Sequence, residues 1–510
     1  MQMFRLTIHT LVCVFHVLNC SSFILPMKNT KNIFLEGPFS PVKERTIKCK
    51  TVGVIPDVVS KTIFARVGPN PMFEPKYGYH LFDGDGMIHW VSFENSTAVY
   101  RNRFVKTLKV RAEESAGRSL YPNPIGYFLK PFAILRLGFN YILQLLCIIP
   151  FIHKSELSVA NTNIIQHSSE ILAMCEGGLP YSLKFTPSEL QTNGVHSYNG
   201  FVKDSFTAHP KINPRDSWMY GMGSNGSNEI CIYVFDQNGK PHHKFGVDFR
   251  YPILMHDLAI TSKHIILLDM PLMYQMDLIL QGKMPVCFDK SFTSRIGVIE
   301  MDDVDGSSLK WYTVPGESFL ISHVVNAYSE LNKIHLISCD ISDFSMTNVL
   351  SSKSSIHEII IDTDSGAVTR TPVLRETRET SETSKSLDFP VIDTTRTGLK
   401  NRYVYTTEFK NGLPSNIFKI DLFNRQIVGS IILKPGEYSG DCSFVPNGTD
   451  DEDDGYLLSF VSNSSSSRLC VWSTKKMDLV GHVEIPAYIP VGFHSTILLK
   501  LESQNSSNFG

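Results

Sequence analysis

The sequence predicts an all-β chain of the propeller type, and three observations predict it. From about residue 155 onward, short apolar runs alternate with turn residues at close spacing. Pairs of these runs are joined by hairpin signals. The chain, at 510 residues, carries more such runs than a sandwich needs. With 42% hydrophobic and 19% charged residues, a packed body is expected. No exact repeat is visible, so strand patterning alone does not fix the number of blades.

The N-terminal element is not part of that body. Arg5 precedes a mostly apolar stretch, residues 6–18, too short to span a bilayer comfortably. The small, polar Asn19-Cys20-Ser21-Ser22 follows, so residues 1–22 read as a signal or targeting segment and 23–38 as a linker. Phe23, directly after the expected cleavage site, resembles the entry signal of secondary plastids in algae. A secretory or endomembrane destination is the alternative.

Residues 124–152 are almost all apolar, interrupted by Lys130, Pro131, Arg136 and Pro150. Those breaks disfavour a continuous spanning helix. Two short helices lying in a membrane interface fit better, with Ile142, Leu145, Leu146, Ile148 and Ile149 as contacts and the cations at headgroup level. An ordinary buried helical cap is the competing reading.

The β runs then follow in order. Residues 230–235 lead through Asn238-Gly239 to 243–249, 356–362 through Asp364-Ser365-Gly366 to 367–373, and 417–422 through Asn424-Arg425 to 428–433. Further runs are 264–270, 295–301, 333–339, 402–406 and 456–462. Residues 375–386 (RETRETSETSKS) are polar and low in complexity, and read as an exposed loop between blades.

Several function classes lose support. A net charge of -2 gives no sign of nucleic-acid binding. P-loop, HExxH and GxSxG motifs are absent. The ten cysteines never form a CxxC, which argues against a thiolate zinc site and a dense disulfide framework. Asp83, Asp85, Glu452, Asp453 and Asp454 look like calcium-type acid clusters.

Four histidines stand out by context: His209 (Phe206-Thr207-Ala208-His209-Pro210-Lys211), His256 (Leu254-Met255-His256-Asp257), His323 (Ile321-Ser322-His323-Val324-Val325-Asn326-Ala327) and His494 (Pro490-Val491-Gly492-Phe493-His494-Ser495). No helix or turn gathers residues so far apart. Only a closed β architecture with inner strands around an axis does so.

These four stretches, in this order, resemble the carotenoid cleavage oxygenase family. The resemblance runs from about Phe39 to Leu499. It includes Arg66-Val67-Gly68-Pro69-Asn70-Pro71, Phe82-Asp83-Gly84-Asp85-Gly86-Met87-Ile88-His89, Tyr100-Arg101-Asn102-Arg103-Phe104-Val105, Ala160-Asn161-Thr162-Asn163, Ser294-Arg295-Ile296-Gly297 and Glu452-Asp453-Asp454-Gly455-Tyr456. It implies a seven-bladed β-propeller over residues 39–500 with a helical cap over its top face, followed by a disordered tail, 501–510. It implies one Fe(II) per chain, held by His209, His256, His323 and His494. For Asp83, Asp85, Glu452, Asp453 and Asp454 it implies turn and loop structure instead, with no metal. The implied activity is a dioxygenase that cleaves a conjugated C=C bond of a carotenoid or apocarotenoid with O2, on a monotopic membrane-bound protein. Stilbene cleavage, retinoid-type isomerohydrolysis and a catalytically inactive carotenoid-binding protein are the alternatives on the same scaffold.

In the family three glutamates accept hydrogen bonds from the ligand imidazoles. Glu176 matches the first. The second and third matching positions are Asp388 and Asp441, each one methylene shorter, about 1.3 Å less reach. A water or a shifted backbone is then expected to complete those contacts. Thr162 matches a threonine that lies beside the open metal position in some relatives.

Overall fold

The computed structural model describes residues 32–75, 78–94, 97–128, 133–186, 189–281, 283–374 and 385–499. The expected signal or targeting segment, the first part of the expected linker, most of the polar stretch 375–386 and the expected C-terminal tail lie outside the described residues. Residues 32–38 are not a free linker. Phe34 and Phe39 are buried against Tyr79, Leu81, Tyr438 and Val491, so this stretch packs onto the body.

The chain is an all-β propeller with few helices. Among the described residues, seven of the strands at sheet edges are inner ones: β1 (Asn163–His167), β2 (Lys211–Ile212), β3 (Ala259–Ile260), β4 (Leu320–Glu330), β5 (Leu387–Val391), β6 (Ser443–Pro446) and β7 (Ser495–Leu499). The first five each begin a separate four-stranded antiparallel sheet. β7 lies against β1 and β6, and β4 lies against β3 and β5, so these edges face a common axis.

Five separate four-stranded blades are formed, not the seven expected. The other strands make one nine-stranded sheet with β6 and β7 at its ends, and a small two-stranded sheet is formed besides. The strand Arg45–Gly53 causes the fusion. Its first half pairs with Thr97–Phe104, from Arg45↔Asn102 to Cys49↔Ala98. Its second half pairs with Leu479–Ile485, from Lys50↔Glu484 to Gly53↔Gly481. One strand serving two neighbours along different parts of its length joins what would otherwise be two sheets.

The core lies between sheets. Ile266, Leu268, Ile296 and Val298 of the third blade meet Leu336 and Ile359 of the fourth. Outer strands are solvated on one face and alternate accordingly: in Pro241–Asp248, Phe245 and Val247 are buried while Lys244, Gly246 and Asp248 are not.

One long excursion, between Thr97–Phe104 and β1, carries three helices: α1 (Leu108–Ala116), α2 (Pro124–Phe128) and α3 (Ala133–Leu145). The two short helices expected over 124–152 are α2 and α3. Asp83 fixes the start of α2 by accepting the N–H groups of Ile125 (2.9 Å) and Gly126 (2.6 Å). Asp85 accepts from Lys109 Nζ at 2.6 Å. Both aspartates thus hold backbone and side-chain donors at the start of this excursion. Ile149 departs from expectation. It is buried against Tyr121 and Ile152, so it packs inward rather than facing outward. Among the described residues no helix is long and apolar enough to cross a membrane.

Candidate metal centre

Every inner edge delivers a predicted residue to the same end of the ring. Thr162 immediately precedes β1, and His209 and His256 stand two and three residues before β2 and β3. His323 and Asp388 lie at the start of β4 and β5, and Asp441 and His494 stand just before β6 and β7. Spacing in sequence is irrelevant to such a site. What matters is that the inner strands all enter the ring from one side.

The imidazoles of His209, His256, His323 and His494 each offer a nitrogen within 4.8 Å of the others. Ring centroids are 4.4 Å apart for His209 and His256, 4.6 Å for His209 and His494, and 4.9 Å for His323 and His494. His209, His323 and His494 are buried.

Three rings are held by carboxylates. His256 Nδ1 stands 2.6 Å from Glu176 Oε1 as an ion-pair contact, while His323 Nδ1 donates to Asp388 Oδ1 at 2.8 Å and His494 Nδ1 to Asp441 Oδ2 at 3.2 Å. The acceptors fix the tautomer and leave each Nε2 with a lone pair facing inward. His256 Nε2 and His323 Nε2 stand 3.2 Å apart. Two neutral imidazoles with their protons held on Nδ1 have no hydrogen between those nitrogens, so either a proton or a metal ion must stand between the lone pairs. Metal–nitrogen bonds of roughly 2.1 Å would set two nitrogens about 3.0 Å apart at right angles and about 4.2 Å apart across the ion. The buried Nε2 of His209 has no hydrogen-bond partner. The donor set therefore fits one first-row divalent metal ion.

The shortened carboxylates touch their histidines directly; of the two expected means, a water or a shifted backbone, the second is seen at Asp388. For Asp388 the backbone makes up the reach. β5 carries a bulge between Asp388 and Val391, and Phe389 adopts φ +52°. Asp388 Oδ1 also accepts the Phe389 N–H at 2.9 Å, and Oδ2 accepts Ser322 Oγ at 2.8 Å. Asp441 Oδ2 takes a second donor, the Ser495 N–H at 3.0 Å. Phe389 meets the His323 and His494 rings edge-on, with centroids at 5.5 and 5.0 Å.

Electrostatics favour neutral ligands where no anion is near. Burial, followed by the neighbouring imidazoles, holds His209 well below the usual histidine range. Burial also lowers His494, opposed in part by Asp441. At His256 burial works the same way but the Glu176 carboxylate outweighs it, and the pKa rises. Glu176 and Asp388 are lowered: burial pushes each up, and the paired imidazole more than compensates.

Thr162 sits at the margin. Its carbonyl accepts the His494 N–H at 3.2 Å and its hydroxyl donates to Asn161 Oδ1 at 3.1 Å. Sequence reasoning missed three supports. Ser322 is one. Arg66 is another, fully buried beneath the segments that bear Asp441 and His494. A Cβ on Gly440 or Gly492 would lie 2.8 Å from its guanidinium. The third is an ion pair between Lys211 and Asp257, Nζ to Oδ1 at 2.7 Å. Period-two spacing from His209 to Lys211 was the available signal for it.

Comparison with known proteins agrees with this architecture. The chain is 32% identical over 505 residues to the carotenoid 9,10(9',10')-cleavage dioxygenase 1 of Pisum sativum, covering 93% of this chain and 92% of that one. It is 31% identical over 503 residues to a probable carotenoid cleavage dioxygenase 4, chloroplastic, of Arabidopsis thaliana, covering 92% and 81%. Among solved structures, the lignostilbene dioxygenase of Pseudomonas brassicacearum superposes with a TM-score of 0.79 at 19% identity, over 92% of this chain and 99% of that one. A Glu150Gln mutant of the Synechocystis apocarotenoid oxygenase gives 0.74 at 22%, over 90% and 96%. These two likenesses establish the fold. The family model described as retinal pigment epithelial membrane protein matches residues 39–497. The chain belongs to that family, the family of the carotenoid cleavage dioxygenases.

Proposed function

We propose that the chain is a non-haem iron(II) dioxygenase that cleaves a conjugated carbon–carbon double bond of a carotenoid or apocarotenoid with O2, giving two carbonyl products. The observation that carries this reading is the ring of four imidazoles, each offering a nitrogen within 4.8 Å of the others. Iron held by those nitrogens would supply the redox chemistry that dioxygen needs. The rest is work for the chain's own residues. Glu176, Asp388 and Asp441 keep three Nδ1 protons, orient the rings and offset the ion's charge. Phe389 presents an apolar surface beside His323 and His494, against which a polyene packs and from which water is excluded. Thr162 places a small polar group at the edge of the site.

On this reading the nine-stranded sheet counts as two blades, since it contributes two inner edges, β6 and β7, to a seven-bladed ring. The helices α1–α3 form its cap. They also form the membrane contact, and α3 supports this by being inverted. Its polar residues face the protein: Asn140 Nδ2 donates to Leu120 O at 2.8 Å, and Gln144 Oε1 accepts the Ile152 N–H at 3.2 Å. Leu135, Tyr141, Ile142, Leu145, Leu146 and Ile148, in α3 and just after it, are exposed. A helix whose apolar side faces outward suits a lipid surface that delivers water-insoluble substrates. The signal-like residues 1–22 and the chloroplastic relative favour a plastid.

The test is incubation of iron-loaded protein with carotenoids, apocarotenoids and a stilbene under 18O2, with products identified by mass. Two labelled carbonyl fragments from a polyene are expected. Cleavage of the stilbene alone would move the assignment to stilbenes. A bound, intact polyene would mark a binding protein.

A further inference from the structure

His209 is the odd member of the quartet. Among the described residues no carboxylate contacts its ring, whereas the other three each have one. Something else must hold it. Two residues on, past the rigid Pro210, Lys211 reaches Asp257 at 2.7 Å. Asp257 follows His256 directly and is 1% exposed. Its other oxygen, Oδ2, accepts the N–H of Val324, the residue after His323, at 2.8 Å. That N–H is free to do so because β4 is bulged between Ile321 and His323 and again between Val324 and Asn326. One buried carboxylate thus ties together three ligand-bearing segments, one level past the rings. On the other side of His209, Thr207 Oγ1 accepts the His209 N–H at 3.0 Å and donates to the His256 carbonyl at 3.2 Å. His209 is bracketed two residues before and two residues after.

We infer that the Lys211–Asp257 pair positions His209 for the metal, replacing the direct carboxylate contact that the other three histidines have. Lys211 and Asp257 are positioning residues; neither meets the substrate. An ion pair suits this task because its length and direction are fixed only when both partners are present. The pair also brings no net charge to the site. Loss of supporting contacts of this kind weakens metal binding about 10- to 100-fold. The inference rests on the four histidines binding a metal.

The test uses the full chain loaded with Co(II). Lys211→Met, Asp257→Asn, the double variant, Lys211→Arg and His256→Ala are compared with wild type. Dissociation constants come from chelator competition, and the ligand-field absorption of bound cobalt reports geometry. The expected result is about 10- to 100-fold weaker cobalt binding and an altered spectrum in either single variant. The double variant should lose no more than a single one, and Lys211→Arg should recover most of the affinity. Unchanged cobalt affinity and spectrum in folded variants would overturn the inference, as would fully additive losses. Should Asp257→Asn fail to fold, the partly exposed Lys211 decides the question alone through Lys211→Met and Lys211→Arg. Wild type binding cobalt no better than His256→Ala would overturn the metal reading itself, and this inference with it.

Discussion

Asp388 accepts the Nδ1–H of His323 directly, at 2.8 Å, although it is a methylene shorter than a glutamate. β5 is bulged at Asp388 and Phe389 is left-handed, and from that backbone the shorter side chain reaches the ring. Both carboxylate oxygens are fully engaged. Restoring glutamate by Asp388→Glu therefore overfills a pocket already adapted to the shorter group. It should destabilise the protein by about 1–3 kcal/mol and weaken metal retention. Urea unfolding and metal content per chain measure both.

His256→Ala removes an imidazole and leaves Glu176 without its partner. Metal content should fall from one ion per chain to near zero and turnover should be lost, while the circular dichroism of the sheets persists. The melting temperature should lose only its dependence on added metal. Activity retained in this variant would remove the site from consideration.

His80 carries a pH dependence that does not involve the metal. Its Nδ1 accepts the Phe82 N–H and its Nε2 donates to Met346 O at 3.0 Å. Burial, only partly opposed by the Met346 carbonyl, lowers its pKa to about 4 from 6.5. The folded state thus prefers neutral His80. The stabilisation is present above pH 6.5 and is lost as pH falls through the interval toward 4, at most about 3 kcal/mol for such a shift. In His80→Gln the drop in unfolding free energy between pH 7.5 and 4.5 should be smaller than in wild type; an equal drop would assign acid sensitivity elsewhere.

Gly492 lies against the buried Arg66. A methyl group there would stand 2.8 Å from Arg66 Nε and 3.0 Å from Val67 O. Gly492→Ala should cost about 1–3 kcal/mol in stability and also loosen metal binding, because His494 follows two residues later. Thermal melts with and without metal separate the two effects.

Leu145→Glu together with Ile148→Glu should shift the protein from vesicle-bound to free in a flotation assay, with folding unchanged, because both side chains are exposed. Ile149→Glu should instead unfold the local cluster with Tyr121 and Ile152.

The histidine quartet and its three carboxylates were legible because each sits in a distinctive local string. Their convergence follows from inner strands entering one ring. Asp388 and Asp441 could be placed, but not the way they reach their histidines, since a bulge depends on pairing with the neighbouring strand. The nine-stranded sheet was illegible for the same reason: nothing in residues 45–53 states that each half has a different partner. Lys211 beside a proline reads as an ordinary surface lysine until the fold brings Asp257 under it. Ile149 looked like its exposed neighbours because composition does not tell which side of a turn faces inward.

The strand β7, which follows His494, pairs with Thr62–Pro69, joining the two ends of the described chain. During synthesis three histidines emerge well before the fourth, and the ring cannot shut until β7 is made. A chain that stops short of β7 lacks both His494 and the strand that closes the sheet, so the four imidazoles come together only when the last strand is in place.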